Sequence, residues 1–194
     1  MKRILAVALA ASIIPSALVA QQPASPQSQA NPITQSFRAF GVRYAGWLNA
    51  AFDTIPAAKY SYKPTPAQQS IGYVAQHLES ANYQLCSQFG GAKRTMTARD
   101  SLADTVKAAW PKDTLVARLK ASFVFCDQAM GAVDDAKLAE QLPSGPPGSG
   151  RTAARARFVL AYVTDLSDHW SQIANYMRLN GMTPPSAAPR PAAR

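Results

Sequence analysis

The feature that most constrains this chain is a helical rhythm. From about residue 31 to residue 182, apolar side chains recur at three- and four-residue steps, in long runs closed by proline or glycine. That spacing puts them on one face of an α-helix, and no stretch sustains the alternation and turn chemistry of a strand-rich domain. The first run extends from about Pro32 to Ile55, with Asn31 as its cap, Pro32 in the opening turn and Pro56 closing it. Its stripe comprises Phe37, Phe40, Tyr44, Trp47, Leu48 and Phe52. A second run opens at Thr65–Pro66 and ends at Gly90–Gly91, with Ile71, Val74, Leu78, Ala81 and Leu85 facing inward. The third spans about Lys112 to Val133 and buries Leu115, Leu119, Phe123 and the Cys126 region. The fourth, about Arg151 to Leu179, carries Phe158, Val159, Tyr162, Leu166, Ile173 and Tyr176 and stops at Asn180–Gly181. Between them, 92–111 holds at most a short helix near 99–109, and 134–142 a short helical piece before the breaker loop PSGPPGSG. The expectation is an all-α, up-down-type four-helix bundle, in which function is sought between facing helices.

The ends read differently. Lys2 and Arg3 precede an almost unbroken apolar run from Ile4 to Val19, and Ala20 is followed by polar residues, the pattern of a secretory signal peptide over 1–20. The run is shorter than a spanning helix needs and is interrupted by Pro15 and Ser16, so cleavage near Ala20 is expected and no stable membrane anchor remains. Residues 21–30 have the composition of a flexible linker, 31–182 that of the bundle, and 183–194 that of a disordered Pro/Ala-rich tail. The expected destination is the periplasm or the exterior. Net charge is +9, but two of those charges sit in the signal and others at Arg151–Arg157 and in the tail, without a basic patch interleaved with aromatics. No nucleic-acid partner is therefore expected. Cys86 and Cys126 are the two cysteines of the chain; in an oxidising compartment they form a disulfide between two helices, the alternative being two buried thiols.

The chain has two histidines, His77 and His169, each well inside a long predicted helix. Asp165 precedes His169 by four residues, so the two side chains share a helical face. With His77 from the second helix they make two imidazoles and one carboxylate, a set suited to a divalent transition metal with positions left open. The plainer reading is a surface i,i+4 pair and a histidine at the edge of the core. Tyr73, Gln172 and Tyr176, each a turn away from a histidine or from one another, are candidate pocket residues, although aromatics at helical spacing also serve as core. Glycine-rich phosphate loops, serine elbows, CxxC and HExxH are all absent from the sequence.

Two stretches, KYSYKPTPAQQSIGYVAQHLESANYQLC and DLSDHWSQIANYMRLNGMTPP, resemble the second- and fourth-helix segments of the DinB-like superfamily of four-helix bundles. The resemblance extends over about 31–186 and implies a centre in which three histidines bind a divalent metal. His77 and His169 match two of them. Asp165 stands where the first histidine of the fourth-helix pair is expected, and Ser171 where a glycine is common. A carboxylate there still suits zinc, nickel, iron or manganese. With the signal-like start of the chain, the resemblance implies an exported, divalent-metal-dependent hydrolase or transferase acting on a small molecule. The alternative is a non-catalytic bundle that binds a small ligand or a partner protein around a degenerate site. Homodimerisation through the aromatic first helix is compatible with either.

Overall fold

A computed structural model describes residues 30–188, and in it each of the four apolar runs is a long helix. These are α1 (Pro32–Thr54), α2 (Ile71–Gly90), then, after the short α3 (Asp104–Ala108), α4 (Lys112–Gly131) and α5 (Arg155–Leu179). The expected signal peptide, the linker up to residue 29 and the last six residues lie outside the described part. Among the described residues no helix is long and apolar enough to cross a membrane.

The order of the helices around the bundle is α1, α4, α2, α5, which puts the consecutive helices α1 and α2 on a diagonal. Pairings along each seam give the directions. Arg38 meets Asp127 while Asp53 meets Lys120, so α1 and α4 are antiparallel. Glu79 meets Arg118, Asn82 meets Ser122 and Cys86 meets Cys126, so α2 and α4 are parallel. Tyr44 meets Ser167 and Trp47 packs on Trp170, so α1 and α5 are parallel as well. The bundle therefore runs up, down, down, up, and the simple up-down alternation expected from the sequence is corrected. The physical reason is the connection 91–111, which is long enough to carry the chain back along α2 so that α4 starts at the end where α2 starts.

That returning segment is held by charge. Arg94 and Arg118 each pair with both Glu79 and Asp100, and the two carboxylates are almost fully buried. Arg94 also lies over Tyr83, and Arg99 and Arg118 lie over Trp110. Thr97 and Asp100 form a capping box at a 3-10 turn, Ala98–Ser101. At the start of α2, Gly72 lets the end of α3 come close, because a Cβ there would lie 2.4 Å from the Ala108 carbonyl oxygen.

Several local expectations are corrected. Helix α2 begins at Ile71, not Thr65, because the Ser70 hydroxyl accepts the Tyr73 N–H and caps the helix there. Its buried line continues from Leu78 through Asn82, Cys86 and Phe89, leaving Ala81 and Leu85 only partly covered. Phe40 is exposed, with Arg43 across its ring. Asn31 is the N-cap residue of α1 as expected, but the side chain that caps the helix is that of Asp135, accepting from the Ile33 and Thr34 N–H groups while its own N–H donates to the Asn31 side chain. A two-stranded antiparallel ladder, β1 (Gln141–Pro143) with β2 (Thr152–Ala154), frames the PSGPPGSG loop and delays α5 to Arg155. Pro184, within the expected tail, is buried, and a 3-10 turn at Pro185–Ala187 packs on α1.

The core is continuous across all four helices. Leu48 and Phe52 from α1, Ile71 and Leu78 from α2, Leu115 and Leu119 from α4, and Leu166, Ile173 and Met177 from α5 are all excluded from water. Each such side chain contributes about 1.5–3 kcal/mol of burial. The Cys86–Cys126 disulfide lies within this core, with Cα atoms 5.2 Å apart.

Candidate metal centre

The seam between α2 and α5 is antiparallel, and its middle carries polar groups in place of leucines. His77 sits one position off the buried line of α2 and stays half-exposed, as its place beside the apolar stripe predicts. On α5, Asp165 and His169 lie on one face, four residues apart, and His169 is buried. The three side chains converge. One Asp165 oxygen, Oδ1, lies 3.7 Å from Nε2 of His77 and 3.6 Å from Nε2 of His169. The two imidazole rings meet edge to face at 4.7 Å, and one ligand atom from each residue falls within 4.8 Å of the other two.

The charge balance of this cluster is open. The imidazole–carboxylate separations exceed hydrogen-bond length, so neither histidine satisfies the carboxylate directly. The other carboxylate oxygen, Oδ2, is buried with no hydrogen-bond partner. A buried anionic oxygen without a donor is costly. The Asp165 carboxylate beside the imidazole raises the His77 pKa above its ordinary value; partial burial pulls it down, and the charge of Asp104 adds to the rise. The cluster thus favours positive charge, supplied by a proton or by a cation. The donor set of two imidazoles and a carboxylate fits a divalent transition metal, and the half-exposed His77 lies on the solvent side of the cluster.

The surroundings are ordered by α5 and the entry to α2. Gln172 Oε1 lies 2.9 Å from Nδ1 of His169, and its Nε2 donates to the Tyr176 hydroxyl, which donates to the Gln69 main-chain carbonyl. Tyr176 is therefore buried behind the cluster, and Gln172 stands between it and His169. Tyr73 stacks on His77, ring planes 10° apart, and also lines a surface cavity of about 540 Å³ with Gln69, Ser70, Thr105 and Ala108. Asp168 points to solvent. Sequence reasoning brought together the three ligand candidates and their three neighbours but missed Gln69, which contributes only a main-chain oxygen. It also missed the Glu79–Arg118–Asp100–Arg94 cluster; a glutamate next to Leu78 in the apolar stripe was the available signal.

Among solved structures, the fold is similar to that of a DinB-like protein from Bacillus cereus, with a TM-score of 0.60 and 16% identity over 78% of this chain and 95% of that one. It is similar also to a conserved protein from Enterococcus faecalis, with a TM-score of 0.58 and 14% identity over 76% of this chain and 96% of that one. No curated protein matches the chain in sequence. The family model of the DinB superfamily matches residues 47–173, a span that holds His77, Asp165 and His169 together with α2, α4 and most of α5. The chain belongs to the DinB superfamily.

Proposed function

We propose that this protein is an exported, divalent-metal-dependent enzyme that hydrolyses, or transfers a group to, a small molecule. The observation that carries the reading is the convergence of His77, Asp165 and His169, with ligand atoms within 4.8 Å of one another beside a buried, partnerless carboxylate oxygen. His77, Asp165 and His169 would hold the ion, which when bound supplies Lewis acidity to a water or a polar substrate group. The chain's own groups do the rest. Asp165 supplies negative charge at the centre, and the Tyr73 ring lies parallel to His77, with centroids 6.5 Å apart, between that histidine and a surface cavity whose lining includes Tyr73 but none of the three ligand candidates. A buried disulfide supports an oxidising destination, in keeping with the signal-like first twenty residues, and favours hydrolysis over transfer of cytosolic thiols.

The test is elemental analysis of the mature protein purified without a histidine tag, beside His77→Ala. Stoichiometric zinc, iron, nickel or manganese in the wild type and its loss in the variant is the expected result. Failure of extensive metal titration, with ligand profile and stability unchanged in His77→Ala, would overturn it.

A second reading rests on the raised pKa of His77. Protonated, that imidazole balances Asp165 without a metal, leaving a bundle that binds a small ligand non-catalytically. Asp165→His discriminates between them: metal bound by the variant alone favours the second reading.

A further inference from the structure

We propose that Gln69, Gln172 and Tyr176 form a directional hydrogen-bond relay that locks His169 in the Nδ1–H tautomer and so presents its Nε2 lone pair to the Asp165 side of the cluster. The inference deepens the metal-centre reading, yet it concerns a property of the metal-free protein.

The direction of the relay is set at its far end. The Gln69 main-chain carbonyl can only accept, and its partner is the Tyr176 hydroxyl at 3.1 Å. A phenol has one hydrogen. Once that hydrogen serves Gln69, the phenolic oxygen is an acceptor toward Gln172, whose side chain must turn its NH₂ to Tyr176, at 3.0 Å, and its carbonyl to His169, at 2.9 Å. An amide oxygen cannot donate, so Nδ1 must carry the proton. The reversed amide would leave two oxygens, those of Tyr176 and Gln69, facing each other with no hydrogen between them. Tyr176 is 2% exposed, so water has little access to repair that mismatch.

The consequence falls at the other ring nitrogen. In neutral His169, Nε2 holds a lone pair 3.6 Å from the Asp165 carboxylate, an arrangement that calls for a cation between them. Such outer hydrogen bonds commonly fix the orientation and tautomer of a ligating histidine. Gln172 and Tyr176 are therefore positioning residues, acting through His169.

The test reads the tautomer itself. Long-range proton–nitrogen correlation spectra of the metal-free protein, at a pH where the ring is neutral, should show His169 with a pyrrole-type Nδ1 and a pyridine-type Nε2. Tyr176→Phe keeps the buried ring but frees the amide, and the expected result is a mixture of tautomers with zinc affinity lowered ~10–100-fold. Adding Gln172→Glu to that variant restores an obligate acceptor beside Nδ1 and should restore the single tautomer. An Nε2–H wild type overturns the proposal, as does an unchanged tautomer in Tyr176→Phe. If Tyr176→Phe does not fold, the wild-type spectrum still decides. A wild type that shows the Nδ1–H form but takes up no zinc leaves the relay standing while the metal reading fails.

Discussion

Cys86 and Cys126 join two helices that point the same way, their Cα atoms 5.2 Å apart across a sequence separation of 40. The bridge spans the whole returning segment, so it closes a long loop in the unfolded chain. In the chain-entropy view that is worth about 3–4 kcal/mol. Replacing both cysteines by alanine is expected to lower the urea midpoint by a corresponding amount and to steepen the slope, because the unfolded chain expands once the cross-link is gone. An unchanged midpoint would show that the bridge adds no net stability.

Arg118 ties the returning segment to α4. It pairs with both Glu79 and Asp100, so Arg118→Ala leaves two buried carboxylates to Arg94 alone. Removing one partner of a buried ionic cluster costs about 3–5 kcal/mol. Glu79→Leu combined with Arg118→Met should recover part of that loss in thermal melts. A loss under about 1 kcal/mol for Arg118→Ala, as for an exposed pair, would sink this account.

Acid should loosen the first helix. Arg38, as hydrogen-bond donor, holds the Asp127 carboxyl below its ordinary 3.8; burial opposes this, and the Arg38 charge adds to the depression. At Asp135 burial pushes upward, but the N–H groups of Thr34 and Ile33 and the Thr34 hydroxyl outweigh it. Both groups are depressed on folding, so their stabilisation is complete above the ordinary carboxylate range and is lost as pH falls through the folded values, below 3.8. Asp127→Asn with Asp135→Asn should melt lower at neutral pH and lose less on acidification. Parallel melting curves for the two proteins would contradict this assignment.

Asp165 makes the sharpest prediction for the metal reading. It supplies the only carboxylate of the cluster. Its replacement by alanine should weaken divalent-ion binding by more than the roughly 10–100-fold that loss of an outer partner costs. Isothermal titration of the tag-free protein with zinc and manganese measures this directly. Equal affinities before and after substitution would remove Asp165 from the centre.

Helix positions and most of the core were legible because burial imposes a period that side-chain chemistry cannot hide: Leu115, Leu119, Val159 and Leu166 all lie inside as their spacing predicts. Helix direction was not legible. It follows from the returning segment 91–111, which is held by Arg94, Asp100, Glu79 and Arg118, residues that are scattered along the chain and look like solvated charges until they are brought together. Asn31 holds the cap position of α1 as its place before Pro32 predicts, but the side chain that accepts from the first turn is Asp135, which reaches Thr34 from about a hundred residues away. At the centre, ligand types and i,i+4 spacing were visible, but the burial of Asp165 Oδ2 and the carbonyl that orients Tyr176 are properties of packing.

The returning segment also bears on the order in which the protein assembles. His77 and His169 lie on helices separated in sequence by α4 and two long connections, so their convergence is a non-local contact of the fold. Such contacts carry the largest loop-closure cost and are gathered late. The histidine–carboxylate cluster is thus an outcome of folding and not its nucleus. Refolding rates of the oxidised protein should accordingly be the same with a chelator as with divalent ions, and any stabilising effect of ions should appear as slower unfolding.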